Sequence, residues 1–251
     1  MNDGIRLNKY LALCGAGSRR KCDEIIQQGR VEINGSPCLN MGTRIGPADH
    51  VKLDGKRVSP STPVVVAFHK PRGFVCTRED ELGRETIYSL LPPKLRSLHH
   101  VGRLDRDSEG LLILTNDGDL SQRLMHPSKS VEKEYLVTSN QAIEPEHIEQ
   151  FLKGVHTPEG RLKAKSIEKI SSRRLSIILD HGVKRQIRLM FEALGYKVTK
   201  LLRVRIGSLW LGELETGRAA ILNQTEIDLL EVPAKPAKPA AKPWRPAQKN
   251  R

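Results

Sequence analysis

Between Gly102 and Gly110 the chain reads Gly102-Arg103-Leu104-Asp105-Arg106-Asp107-Ser108-Glu109-Gly110, which puts three carboxylates at alternate positions just ahead of an apolar run, Leu111 to Thr115. An ionised carboxylate can act as a nucleophile or as a general base. A cation beside it favours that ionised form, and Arg103 could serve there or bind phosphate instead. Other readings compete. Asp105, Asp107, Glu109 and Gly110 fit positions 1, 3, 5 and 6 of a calcium loop, but the position of the bidentate Glu falls on Asn116 and no helices flank the segment. An acidic surface turn balanced by Arg103 and Arg106 is the commoner fate of such a stretch, and residue types alone leave it open. Asp105 and Asp107 as a carboxylate pair would suit a nucleoside or glycoside hydrolase.

A second cluster, Arg19-Arg20-Lys21, directly follows Ser18, a natural helix N-cap. Three cations at a helix start oppose the helix dipole. An anion held by the free backbone amides and these side chains would offset that, and an RNA phosphate is the natural candidate. Three solvated side chains on an exposed turn are the alternative. Further along, Arg185 and Arg188 are three apart and share one face of a predicted helix, whose buried side carries Ile187 and Phe191. Cys14, Cys22, Cys38 and Cys76 include no Cys-x-x-Cys pair and no His at metal-ligand spacing, so four reduced, mostly buried thiols are expected and no zinc site.

The elements that must position these groups fall into two unequal parts. Leu7, Tyr10, Leu11 and Cys14 mark one face of a short helix ended by Gly15, and Cys22, Ile25 and Ile26 mark a second one closed near Gly29. Arg30 to Ile33 alternates as a strand into Asn34-Gly35, and Val51 to Leu53 leads into Asp54-Gly55, both hairpin-type turns. Residues 1–58 therefore form two helices and a small sheet, and Ser59-Pro60-Ser61-Thr62-Pro63 reads as a linker over 59–63. Residues 64–232 mix strands and helices without regular alternation, which predicts an α+β domain on an antiparallel or mixed sheet. Its clearest strands are Val64 to Phe68, Leu111 to Thr115, Glu134 to Val137, Leu175 to Leu179 and Leu202 to Ile206. Its clearest helix carries Ile187, Met190, Phe191 and Leu194 and stops at Gly195. The Pro-Ala-Lys repeats of 233–251 are too polar to bury a core, which predicts a disordered or extended tail.

The 251 residues carry a formal charge of +13, which points to a polyanionic partner. Residues 1–58 hold a net +4 and the tail +6, leaving +3 on residues 59–232. Basicity is thus concentrated in the appendages, and the tail reads equally well as a nonspecific RNA contact or as a solvated extension. No apolar run approaches the ~18 residues that span a bilayer, and Met1-Asn2-Asp3-Gly4 begins no secretory signal. A chain of the cytoplasm with no membrane partner is expected.

Two resemblances give these patterns a meaning. Residues 5–58, with Arg6-Leu7-Asn8-Lys9-Tyr10-Leu11, Gly17-Ser18-Arg19-Arg20 and Val31-Glu32-Ile33-Asn34-Gly35, resemble the alpha-L RNA-binding module first known from a small-subunit ribosomal protein. Gly102-Arg103-Leu104-Asp105 belongs to a longer run similar to the RsuA-type family of ribosomal RNA pseudouridine synthases. That run includes Lys70-Pro71-Arg72-Gly73, Gly110-Leu111-Leu112-Ile113-Leu114-Thr115-Asn116-Asp117-Gly118, Leu124-Met125-His126-Pro127, Lys133-Glu134-Tyr135 and Arg185-Gln186-Ile187-Arg188. All these pieces occur in order behind the alpha-L module, and the likeness extends to about Leu230.

The resemblance implies an isomerase that turns uridine into pseudouridine in ribosomal RNA, leaning toward the large subunit, with the small subunit as the alternative. By it, Asp105 is the catalytic aspartate, Tyr135 the active-site tyrosine and Arg188 the basic residue that pairs with the aspartate. RNA contacts are expected from Arg6, Lys9, Ser18, Arg19, Arg20, Lys21, Arg103, Lys133 and Arg185. The reaction breaks the bond to nitrogen 1 of uracil, turns the base and rejoins it through carbon 5, so no redox cofactor is needed. The base must leave any stack to be turned. The ring of Tyr135 could pack on it and exclude water, although an ordinary core tyrosine fits the same strand. Where relatives often have Glu-Gly and two adjacent arginines, this chain has His181-Gly182 and Arg188-Leu189. A monomer bound to ribosomal RNA or to a ribosome assembly intermediate is expected, and the non-enzymatic rival is an RNA-binding assembly factor.

Overall fold

The computed structural model describes residues 4–233, and the basic tail from residue 234 onward lies outside the described residues. Two compact units divide the chain, Met1–Pro63 and Val64–Arg251. In the first, β1 (Ile5–Arg6) leads into α1 (Leu7–Leu13) and α2 (Arg19–Gln27), followed by the strands β2 (Val31–Ile33), β3 (Ser36–Pro37), β4 (Arg44–Ile45), β5 (Val51–Leu53) and β6 (Lys56–Arg57). The apolar stripe of the helices, Leu7, Leu11, Cys22, Ile25 and Ile26, packs on Val31, Ile45 and Val51. Ser18 caps α2 by accepting from the Lys21 backbone N–H at 3.2 Å. Asn34-Gly35 and Asp54-Gly55 each have positive φ at both residues, the geometry that matches strand twist in a two-residue hairpin. These turns set the four-stranded order β3-β2-β5-β6, and β1 pairs separately with β4.

In the second unit the chain continues through β7 (Val65–Lys70), β8 (His99–Val101), β9 (Glu109–Thr115), α3 (Gly118–Met125), β10 (Lys133–Ser139) and α4 (Pro145–Lys153). A hairpin follows, β11 (Val155–Thr157) with β12 (Gly160–Leu162), then β13 (Ser166–Ser171), β14 (Arg174–Leu179), α5 (Gln186–Ala193) and β15 (Val198–Ile206). β16 (Leu209–Trp210), β17 (Ala219–Ile221) and α6 (Gln224–Leu229) complete it. The expected α+β class is what forms. One nine-stranded sheet runs β13-β14-β10-β15-β9-β7-β17, with β16 on β15 and β8 on β9. Neighbouring strands are antiparallel except β15 and β9, which run parallel through Leu202↔Glu109 and Arg203↔Gly110.

That parallel seam joins two antiparallel halves and brings their backbones close at Gly110. Gly110 has φ +115, and a Cβ placed on it would lie 2.2 Å from the Arg203 carbonyl oxygen. Only glycine fits this position. One half packs α5 and α4 against β14, β10 and β15, with Phe191 stacked on Phe151 at 4.7 Å. The other half buries Val66, Phe68, Leu112 and Leu114 under the segment 76–98 on one face of the sheet. On its opposite face Leu111 and Ile113 pack with Leu120 and Leu124 of α3.

β10 and β15 do not pair in simple register. Glu134 pairs with Arg205 and Tyr135 with Arg203, so a bulge at Val204 puts one extra residue into β15. Because side chains alternate across a strand, the bulge sends Arg203 and Arg205 to opposite faces. Arg205 meets Glu134 at 2.7 Å and Glu132 at 3.4 Å.

Candidate active site

The loop entering β9 is held almost wholly by its main chain. Lys70, fully buried at the end of β7, donates from Nζ to the carbonyls of Pro71 at 2.9 Å, Asp105 at 3.0 Å, Arg106 at 3.4 Å and Ser108 at 2.8 Å. The Ser108 N–H closes a turn onto the Asp105 carbonyl at 3.1 Å, and the Gly73 N–H donates to the Arg106 carbonyl at 2.8 Å. Buried Leu104 anchors the other side of the loop, its N–H pointing at the Cys76 sulfur. With backbone and neighbours fixed in this way, the Asp105 carboxylate is presented at a definite place, 29% exposed.

Arg188, on α5, brings its Nε within 3.8 Å of Asp105 Oδ2. Its terminal nitrogens donate to the carbonyls of Val198 at 3.2 Å and Asp107 at 3.0 Å, which fix the guanidinium beside the carboxylate. Burial pushes the Arg188 pKa down, and Asp105 opposes that shift. Among the described residues Arg188 Nε has no hydrogen-bond partner, so this donor is open to an acceptor at the carboxylate.

Asp105, Tyr135, Lys133, Arg103, Arg185 and Arg203 line one cavity of about 830 Å³, large enough for a nucleoside with part of its neighbours. Tyr135 is half-buried and its ring touches the apolar cores on both sides of the seam. The other carboxylates of the acidic segment are dispersed. Glu109 turns to Lys200 at 3.1 Å, and exposed Asp107 lines a different pocket, together with Arg72, Arg188 and Lys197. Asp105 and Asp107 thus line different pockets, an arrangement that does not favour a paired-carboxylate hydrolase. Among the described residues no group of three or more His, Cys, Asp or Glu side chains is arranged to hold a metal ion.

Several residues singled out from the sequence occupy places that spacing did not convey. Arg185 is the N-cap of α5, in a left-handed conformation with φ 58, and not on its first turn. It therefore lines both pockets, while Arg188 points at Asp105. Lys133 is an inward residue: its ammonium donates to the Val131 carbonyl at 2.9 Å. Burial, with Arg203 nearby, pushes its pKa down to about 8. Arg103 is exposed on the cavity rim. In the small unit Arg19 and Arg20 are exposed and form no ion pair among the described residues, whereas Lys21 pairs with Glu24 at 2.8 Å. Arg6 reaches the Met41 carbonyl at 3.3 Å, and Lys9 is half-buried. Of the four thiols, Cys22 and Cys76 are buried and Cys14 and Cys38 only partly so. Lys70 and Arg203 are the functional candidates that the sequence reading passed over. Their signal was a cation inside an otherwise apolar strand, which is costly without a specific partner.

The displaced pKa of Lys133 has a stability consequence. An unfolded lysine titrates near ~10.4, so between about pH 8 and that value the unfolded chain binds more protons and stability rises with pH. Below pH 8 the penalty for burying the charge is present in full. Lys133→Met is therefore expected to stabilise the protein by about 2 kcal/mol at pH 7, with the gain largely gone by pH 10.5, as read by urea unfolding at the two pH values.

The profile of the family described as RNA pseudouridylate synthase matches residues 64–193, and that of the S4 domain matches residues 5–50. The ribosomal large subunit pseudouridine synthase B of Bacillus subtilis is 34% identical over 231 residues, covering 90% of this chain and 95% of the relative. An uncharacterized RNA pseudouridine synthase of Mycobacterium bovis is 38% identical over 237 residues, covering 90% and 93%. The crystal structure of a pseudouridylate synthase superimposes with a TM-score of 0.66 at 31% identity, covering 90% of this chain and 99% of that one.

Proposed function

We propose, from the premise that this chain belongs to the RNA pseudouridylate synthase family, that it isomerises uridine in large-subunit ribosomal RNA with Asp105 as the catalytic carboxylate. Membership makes the chain an RNA-modifying isomerase with an S4 RNA-binding domain ahead of its catalytic domain. The large-subunit target draws on the printed name of the Bacillus subtilis relative. The observation that carries the catalytic assignment is the Asp105 carboxylate on the wall of the 830 Å³ cavity, beside the half-buried Arg188 at 3.8 Å.

In this reading the target uridine leaves its stack and enters the cavity, where its sugar meets Asp105. The charge of Arg188 holds the carboxylate turned toward the substrate. The Tyr135 ring packs on the base and excludes water while the bond to nitrogen 1 is open, so that the base rejoins through carbon 5 and is not lost. Unpaired RNA is the cheapest to open in this way. The protein acts as a monomer, on ribosomal RNA or on a ribosome assembly intermediate. No helix of the described residues is long and apolar enough to cross a membrane; a cytoplasmic site of action goes with the proposed ribosomal RNA substrate.

The test is a pseudouridine map of ribosomal RNA by carbodiimide labelling in cells lacking the protein, complemented with wild type or Asp105→Asn. One or a few sites should vanish and return only with wild type. An unchanged map would overturn the ribosomal target, and rescue by Asp105→Asn would favour an assembly factor.

The small unit makes a separate contribution. Arg19 and Arg20, which form no ion pair among the described residues, stand at the start of a nine-residue helix, where backbone N–H groups and dipole favour an RNA phosphate. The double variant Arg19→Ala, Arg20→Ala is expected to weaken RNA binding and to reduce the slope of log affinity against log salt by about 1.5, the loss of two phosphate contacts. Filter binding over a salt series reads it, and an unchanged slope would remove these arginines from the interface.

A further inference from the structure

The bulge in β15 leaves two buried arginines in opposite circumstances. Arg205, 1% exposed, is neutralised by Glu134 and Glu132 and lies over the Trp210 ring at 5.6 Å. Arg203, 2% exposed, faces the cavity that holds Asp105. Its Nε donates to the Leu111 carbonyl at 2.7 Å, it forms no ion pair among the described residues, and its Nη2 is buried with no hydrogen-bond partner. The charged neighbours that feel it are mostly cations, Lys70 and Lys133. An uncompensated guanidinium with a free donor inside a protein is costly. A buried donor without a partner, on a residue that lines the substrate cavity, makes sense if a ligand oxygen completes it on binding.

We propose that Arg203 Nη2 donates to a carbonyl oxygen of the target uracil and holds the base while it is detached and turned. The inference rests on the reading that the Asp105 cavity receives the target uridine. When the C1′–N1 bond breaks, its electron pair stays with the base, and the negative charge spreads onto O2 and O4. When the base rejoins, carbon 5 supplies the pair for the new bond to C1′. The proton on carbon 5 is lost and nitrogen 1 gains one, so composition does not change. A guanidinium donor aimed at an oxygen where charge develops binds the detached base more strongly than the neutral uridine.

The geometry of the turn adds a second reason for one fixed donor. Rotating uracil by half a turn about the line through N3 and C6 exchanges N1 with C5 and also exchanges O2 with O4. A donor at one carbonyl position therefore meets an acceptor before and after the turn. The sheet-bound Arg203, tied through Nε to Leu111, serves as that fixed point, with Lys133 on the neighbouring strand adding positive charge to the same wall.

The test uses the full chain and a ribosomal RNA fragment containing the site lost in the pseudouridine map, with uridine, 2-thiouridine or 4-thiouridine at the target, since sulfur is the poorer acceptor. Turnover is read as tritium released from carbon 5 under single-turnover conditions. Wild type should be slowed roughly 10- to 100-fold by at least one thio substitution. Arg203→Met should be slowed to a similar degree on uridine, mainly in rate and less in affinity, and should no longer distinguish the thio base from uridine. If Arg203→Met does not fold, Arg203→Lys supplies that arm, keeping the charge while losing the aimed Nη2. Indifference of wild type to both thio bases overturns the proposal, as does a variant that keeps the wild-type discrimination. A map in which no site is lost is instead a failure of the underlying ribosomal reading.

Discussion

Asp105→Asn is expected to leave a folded protein that binds RNA normally and forms pseudouridine at least about a thousandfold more slowly. Both halves of that expectation come from the way the loop is built. Asp105 contributes to the fold through its carbonyl oxygen, which accepts from Lys70 Nζ at 3.0 Å and from the Ser108 N–H at 3.1 Å, and an amide side chain leaves both contacts unchanged. Among the described residues the carboxylate forms one ion pair, with Arg188 at 3.8 Å, and losing so long and partly exposed a pair should cost about 1 kcal/mol or less. An asparagine of the same shape cannot act as a nucleophile or a base, so the chemical step loses its carboxylate while binding does not. Tritium release from carbon 5, alongside thermal unfolding, separates the two effects. A variant with more than a tenth of wild-type turnover would remove Asp105 from the chemistry, and one that fails to fold would assign the carboxylate a structural role instead.

Much of the scaffold was legible because it is written in local rules. Ser18, Gly29, Asn34-Gly35 and Asp54-Gly55 mark helix ends and hairpins by their own backbone preferences, and the strands around Phe68, Ile113, Val137 and Ile177 are apolar on the faces they bury. What escaped was carried by tertiary pairing. β13 is exposed along nearly all its length and is a strand only because β14 lies beside it. α4 offers a short apolar stripe in which only Phe151 is buried. The β15 bulge has no local signature, since Arg203-Val204-Arg205 reads as two residues on one face of a regular strand. The same limit applied to the site. Asp105, Tyr135 and Arg188 could be named by resemblance, but the separation of Asp107 into another pocket and the inward course of Lys133 depend on how the loop and the seam pack.

Lys70→Met should cause the largest loss of stability of any single change around the site, about 3 to 5 kcal/mol, with turnover reduced about a hundredfold in whatever fraction remains folded. The Lys70 ammonium is fully buried and is surrounded by four carbonyl oxygens, three of them on the loop that carries Asp105. Burial pushes its pKa down, while the coulombic pull of Asp105 and Asp107 opposes that shift. Methionine fills a similar volume but offers no donor, so the carbonyls of Asp105 and Ser108 lose the partner that draws them together, and the loop can relax outward. Displacement of the carboxylate by about 1 Å is enough to lose a hundredfold in rate. The affinity of the S4 domain for RNA does not pass through this lysine, so binding measured below the unfolding temperature should persist. Urea unfolding read together with single-turnover tritium release provides the check. If Lys70→Met unfolds like wild type, the four carbonyl contacts are not what holds the loop, and the placement of Asp105 must be traced instead to Arg188 and the reciprocal bonds between Gly73 and Arg106.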